Sequence, residues 1–347
     1  MKKRFSKKVV GAIALLLVVA VAAVFGLSGC RDLTADDVVN GIYSNLDEST
    51  SYLATGLMQV ESEGQTHRYN VQVGFQRTDS GENFRVTMRN ESTGNEQIIL
   101  KNCEGVFVLT PALNKQFKFQ SDWPMTSSQV YLYQSLLNDI LNATEPTFEA
   151  CDDSYTFIIE TDFHADGRLV EQFMQFDRKY LTPTLVEVRD AEGVARLSMT
   201  FESFEWNNDV CEDFFVVDAI MELAQDVMGD YSFPVTNIYD LALVPTYLPV
   251  GSELIDRTPI PTLQGERVIL TFGGEHEFTL IQESARMRHG VELVRGEPVM
   301  INGTVGAISE NSLSWQRNGV EFFLVSNTLD RDQLITVAAS VDGYNEK

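Results

Sequence analysis

GVFVLTPALNKQFKFQSDWP, residues 105–124, is the stretch on which the fold turns. It sets Phe107, Phe117, Phe119 and Trp123 around a turn built on Pro111 and Asn114. Runs of apolar and aromatic residues on either side of such a turn predict two strands, about 105–110 and 115–120. Strands this greasy need a cover. The rest of the protein supplies it, or an apolar ligand does.

Reading outward, the period changes after Trp123-Pro124. Ser127 suits the N-cap of a helix running to about Asn142, with Val130, Tyr133, Leu137 and Ile140 at three- and four-residue steps and Leu132 and Leu136 beside them. Upstream, Thr34 caps a first helix to about Asn45, with Asp36 and Asp37 at its positive end. Strands follow at 52–61, 68–77, 83–89 and 96–101, separated by turn signals such as Asp79-Ser80-Gly81. Downstream they resume at 154–162, 169–177, 183–189 and 195–204. The pattern is one long antiparallel sheet with a few helices against one face.

Past Cys211 the texture changes. Val217 to Met228 reads as a helix, and five of the ten prolines fall between Pro234 and Pro261, which reads as a linker and a domain start. Strands at 267–273, 276–283, 298–308, 312–317 and 319–325 follow, with Gly273-Gly274-Glu275 and Arg317-Asn318-Gly319 as turns. A closing helix starts near Asp330. The expected division is a signal segment 1–29, a large domain 30–215, a helix and linker 216–245, and a small domain 246–347.

The N-terminus reads as an export signal: a basic head (Lys2, Lys3, Arg4, Lys7, Lys8), an apolar run Val9–Leu27, then Ser28-Gly29-Cys30. Leu27-Ser28-Gly29-Cys30 resembles the lipobox of bacterial lipoproteins, in which the cysteine is acylated after cleavage. The alternative is an uncleaved anchor, because the run is just long enough to span a bilayer. Both tether the chain at the outer face of the cell membrane. Without residues 1–29 the chain keeps 21 Lys+Arg against 50 Asp+Glu. Such a surface repels phosphate backbones and anionic headgroups, so nucleic acid is excluded and membrane contact runs through the lipid on Cys30. With Cys30 lipidated, Cys103, Cys151 and Cys211 remain, an odd number that permits at most one internal disulfide and does not say which.

No catalytic motif is present. The histidines His67, His164, His276 and His289 form no His-Glu-x-x-His pair, and there is no Gly-x-Ser-x-Gly elbow, phosphate loop or dinucleotide fingerprint. Glu275-His276-Glu277 alternates across a strand, and Asp162, His164 and Asp166 fall in a polar turn ending at Gly167. No metal, cofactor or enzymatic activity is expected. Two readings of the aromatic cluster stay open: a plain core, or a cavity between sheet and helices that takes acyl chains.

The Gly-Val-Phe-Val-Leu-Thr-Pro start, the Asn-Lys-x-Phe hairpin, the Gln-Ser-Asp-Trp-Pro corner and the Ser-Gln-x-Tyr-Leu helix start resemble the signature segment of sporulation-associated lipoproteins of endospore-forming bacteria. These are similar to the outer-membrane lipoprotein carrier proteins. The match is specific over 97–142 and looser over about 34–215. The resemblance implies an α+β fold: an unclosed antiparallel β-barrel, or half-barrel, whose helices plug the concave side, followed by a smaller α+β domain. Tyr247-Leu248-Pro249-Val250-Gly251 resembles the start of a small domain found on extracytoplasmic lipoproteins and sigma-factor regulators. A large carrier-like domain with a small second one also resembles the periplasmic regulator that restrains an anti-sigma-factor protease. The implied role is non-enzymatic: binding an acyl chain or a lipid-bearing partner, with Phe107, Leu109, Phe117, Phe119, Trp123, Val130, Tyr133, Leu136, Leu137 and Ile140 lining the cavity. The alternative is an adaptor or envelope-stress regulator that binds an envelope protein through a closed, ligand-free core.

Overall fold

The computed structural model describes residues 33–62, 65–120, 129–161, 169–228, 242–262, 265–285 and 290–341. Cys30, Trp123, Ser127 and the Asp162–Asp166 stretch fall outside the described residues. The chain is mostly β, with two unclosed sheets. In chain order the elements are α1 (Ala35–Glu48), β1 (Ser51–Ser62), β2 (Gln65–Thr78), β3 (Gly81–Asn90), β4 (Glu96–Asn102), β5 (Gly105–Thr110), β6 (Lys115–Phe119), α2 (Tyr133–Asn142), β7 (Thr147–Ala150), β8 (Ser154–Glu160), β9 (Leu169–Asp177), β10 (Pro183–Asp190), β11 (Ala195–Trp206) and α3 (Val217–Met228). Then come β12 (Ser252–Thr262), β13 (Gly265–Gly274), β14 (Phe278–Ser284), β15 (Val291–Val294), β16 (Glu297–Ile301), β17 (Thr304–Ile308), β18 (Ser312–Arg317), β19 (Val320–Val325) and α4 (Arg331–Ala339).

The first sheet has twelve strands in the order β15-β6-β5-β4-β3-β2-β1-β11-β10-β9-β8-β7. Two meanders, β1–β6 and β7–β11, join through the antiparallel β1–β11 pair. The second sheet runs β12-β13-β14-β19-β18-β17-β16. The backbone crosses the expected boundary between domains at β15, which comes from the C-terminal part and adds to the first sheet by pairing parallel with β6.

The helices α1 and α2 start in different ways. Thr34 and Asp37 form the capping box of α1, which turns Val38 and Ile42 into the core. α2 starts later than expected and has no side-chain cap of its own. Its first orphan donor, the Tyr133 N–H, is taken instead by the Tyr52 hydroxyl on β1 at 3.3 Å. That hydroxyl in turn donates to Gln134 Oε1 at 2.7 Å. Tyr52 also stacks on Phe75 and Phe204, with centroids 5.1 and 4.9 Å away, so one β1 residue ties three strands to the helix.

In the second sheet the stretch 298–308 is not one strand. It turns at Asn302-Gly303, where both residues have positive φ (46° and 78°), the geometry of a tight hairpin. Asn318-Gly319 repeats the device at 49° and 77°. β12 is the outer edge of this sheet, read in the sequence as linker because of its prolines. Its pairing with β13 continues through Pro259 and Pro261, which leaves their nitrogens on the outer side. Cys103, Cys151 and Cys211 are exposed and form no disulfide.

Gly303 also faces the first sheet. A Cβ there would lie 2.4 Å from the Tyr69 ring. Gly303→Ala is expected to cost about 2–3 kcal/mol in urea unfolding, from backbone strain plus the clash. Gly94→Ala, with φ of 70° but open space around it, carries the strain alone and should cost about 1 kcal/mol.

Candidate functional site

The β5–β6 hairpin sets up the site. Its register pairs Val106 with Phe119, Val108 with Phe117 and Thr110 with Lys115 on one face, and Phe107 with Lys118 and Leu109 with Gln116 on the other. The tight turn rests on Pro111–Leu113 and on Asn114 in the left-handed region (φ 52°). On the first face, the hairpin meets the second sheet across a cavity of about 320 Å3. The hairpin side of the wall is Val108, Thr110, Lys115, Phe117 and Phe119. The facing side is drawn from β14, β17, β18 and β19, and β15 closes it with Glu292 and Val294. Strand register puts Ile281, Glu283, Ser314, Gln316, Glu321 and Phe323 on one face of the second sheet, so these residues share a side.

Polar contacts pin the two walls together. Lys115, only 2% exposed, donates to Glu321 and, at 3.3 Å, to Gln316 Oε1. Gln97 works like a short strand against β17: its Oε1 accepts from the Val305 N–H at 2.6 Å and its Nε2 donates to the Val305 carbonyl at 3.3 Å. Tyr69 donates to the Asn302 carbonyl at 3.1 Å. A smaller cavity of about 60 Å3, on the scale of ordered water, shares Gln97, Thr110 and Gln316 with the larger one.

The expected cavity lay between the first sheet and its helices; among the described residues named for it, Phe117 and Phe119 line this different hollow, between the two sheets. Phe107 and Leu109 are a correction. They lie across the sheet, in a separate apolar cluster with Ile98 and Leu100, covered by Phe215, Val217, Ile220 and Met221 at the start of α3. The physical reason is period-two alternation: a strand buried on both faces reads as one apolar run, and sequence does not say which half faces which way. Val130, Tyr133, Leu136, Leu137 and Ile140 come together on the α2 side and are buried in the main core against the first sheet. Trp123 lies outside the described residues.

Among the described residues, no group of three His, Cys, Asp or Glu side chains is placed to hold a metal. The wall offers apolar contact and a few charges, which is the chemistry of holding a ligand.

No family model matches the chain, so the resemblance expected for 246–347 gains no support from that comparison. Sporulation protein YdcC of Bacillus subtilis (strain 168) is 37% identical over 334 residues, which cover 96% of this chain and 97% of that protein. The chain belongs to the YdcC family of sporulation proteins. Among solved structures, MucB of Pseudomonas aeruginosa in its complex with MucA is similar over 89% of this chain and 98% of that one, at 14% identity and a TM-score of 0.34. The LolA superfamily protein NE2245 of Nitrosomonas europaea matches 54% of this chain and 99% of its own, at 12% identity and 0.31. No residue role is carried over from either.

In this YdcC-family chain, sequence reasoning missed Gln97, Lys115, Glu292, Glu321 and Phe323. Lys115 read only as the first residue of the strand 115–120 in the Asn-Lys-x-Phe hairpin, and its partner stands some two hundred positions away. Lys115→Met is expected to destabilise by about 3–5 kcal/mol, because it removes the buried ammonium that Glu321 faces at the seam between the sheets. The double variant Lys115→Met/Glu321→Leu should recover most of that loss in chemical denaturation.

Asp139 on α2 gives the molecule a pH signature. Burial is the main influence and raises its carboxyl to about 7, against a smaller opposing pull from the Gln172 amide at 3.2 Å. The folded value lies above the unfolded value of about 4. The folded chain therefore keeps a proton that the unfolded chain has lost, and this contribution to stability fades as pH rises from about 4 to about 7. Asp139→Asn should flatten that fall and leave the variant about 1–2 kcal/mol more stable at pH 8, read from urea midpoints across pH.

Proposed function

We propose that this protein is a lipid-anchored, extracytoplasmic binding protein of the sporulating cell, without catalytic chemistry, that holds an acyl chain or a lipid-bearing partner. Cys30 carries the anchor, and the first sheet is the unclosed barrel whose plug is α1 and α2. The observation that carries the reading is the 320 Å3 cavity between the two sheets, walled by Val108, Phe117, Phe119, Ile281, Val294 and Phe323. Its volume falls within the range of about 300–1,000 Å3 typical of small-ligand sites. Membership of a sporulation family supports the setting, and the absence of any catalytic motif supports binding over turnover.

The test is direct. The full-length chain in nanodiscs is titrated with an uncharged naphthylamine probe, with empty nanodiscs as reference. Binding is expected for the native chain. Ala307→Phe, which fills the cavity from a half-buried position on β17, should weaken it at least about tenfold, the effect of losing a well-filled apolar site. Organic extraction and mass spectrometry of the Cys30→Ser chain should release a chain-bearing lipid. If the native chain takes no probe and yields no lipid, the reading is wrong and the ligand-free adaptor stands.

A further inference from the structure

The cavity occupies one part of a longer row of side chains. Strand pairing sets Ala307 on β17 opposite Ser314, Ser314 opposite Phe323, Phe323 opposite Ile281, Ile281 opposite Ile269 and Ile269 opposite Thr258. Directly opposite residues point to the same side of a sheet, so the whole row lies on the face that meets the first sheet. It crosses β17, β18, β19, β14, β13 and β12, and at the usual strand spacing it is about 24 Å long. Ala307, Ser314, Phe323 and Ile281 line the cavity, whereas Ile269 and Thr258 lie beyond it.

The row has a roofed end and an open end. The polar pins from the first sheet land on Val305, Gln316 and Glu321, which belong to β17, β18 and β19. Farther out, Phe323 is 41% exposed at the rim of the cavity, Ile269 is half-buried and Thr258 is exposed. The outer part is also narrow. Ile269 and Ile281 are flanked on one side by Arg267 and Glu283, bonded at 2.7 and 2.9 Å, and on the other by Thr271 and Thr279. An apolar strip one side chain wide between polar rails suits a single hydrocarbon chain and is too thin for the apolar face of a protein segment.

We infer that this row is the track of one alkyl chain: the tail enters the cavity toward Ala307, and a chain too long for the cavity runs out past Phe323 and Ile281 and over Ile269, with its head toward the β12 edge. The inference rests on the reading of the cavity as a chain-binding site and adds the class of ligand, a long-chain amphiphile. Continuity decides the occupant of the outer strip, because Ile281 and Phe323 belong both to the cavity wall and to the row that leaves it. The cavity itself, about 320 Å3, stands at the small end of ligand sites, so a long chain needs the extra length.

The experiment follows displacement of the uncharged naphthylamine probe from the full-length chain in nanodiscs by octyl, dodecyl and hexadecyl maltoside, with empty nanodiscs as reference. Uncharged heads keep the acidity of the chain out of the comparison. Each maltoside is compared between native and variant chains, so its partition into lipid cancels. Ile269→Thr keeps the β-branched shape that strands favour, and its urea midpoint reports that the fold is kept. Its loss of affinity is expected to grow with chain length, from less than about 1.5-fold for octyl to about threefold or more for hexadecyl, the scale of one methylene taken out of contact. Thr258→Ile, at an exposed position, lengthens the apolar row and should tighten hexadecyl about twofold or more, with a smaller change for octyl. Where Ile269→Thr fails to fold, Thr258→Ile decides alone. A hexadecyl affinity that neither falls in the first variant nor rises in the second, or that moves no more than that of octyl, overturns the track and leaves the cavity reading intact. No displacement by any of the three from the native chain overturns both.

Discussion

The backbone edge of β6 is the constraint on which the molecule depends. One side of this five-residue strand completes the β5 hairpin, and the other accepts β15 from nearly two hundred residues away. Four parallel pairs are a weak joint by themselves. Side chains reinforce it: Lys115 to Glu321, Gln97 to Val305 and Tyr69 to Asn302. These contacts are polar and directional, so they fix how the two sheets meet. The cavity is a by-product of that meeting. Two of its pins, Gln97 and Lys115, are also part of its wall.

Much of the first sheet was legible because its strands alternate cleanly between apolar and polar residues. Tyr69, Val71, Val73 and Phe75 on β2 are all buried, as their spacing requires. Helices with strong termini were equally readable, through Thr34 on α1 and Asp330 on α4, each a capping box. Three kinds of element escaped. β12 carries prolines that mimic a linker. β15 has only four residues and takes its identity from a distant partner. β16 and β17 ran together, although Asn302-Gly303 was there to separate them. The place of the hollow was not legible: it was expected between sheet and helices and lies between the two sheets. Phe117 and Phe119 were named, but nothing local marks Glu321 or Phe323 as their neighbours, because long-range pairing brings them together. Phe107 and Leu109, named through the resemblance and their strand, lie on the opposite face of the hairpin.

The two faces of the β4–β5 region have different tasks. One is sealed by α3, whose first turn covers Phe107 and Leu109 with Ile220 and Met221. The other keeps Val108 and Phe117 beside open space. A strand that is apolar on both sides can be dry on one and receptive on the other, and only the second is available for a ligand. That face belongs to a junction built from both halves of the chain, and anything bound there would also cement them.

The outer strand of the second sheet has a consequence for how copies of the protein meet. β12 is eleven residues long and almost wholly exposed, the kind of rim onto which a neighbour's strand readily zips. Pro259 and Pro261 remove two of the hydrogen-bond donors that an incoming strand would use, at alternate positions along that rim. The prolines that disguise β12 as a linker therefore act as bumpers, keeping crowded copies from fusing into a common ribbon.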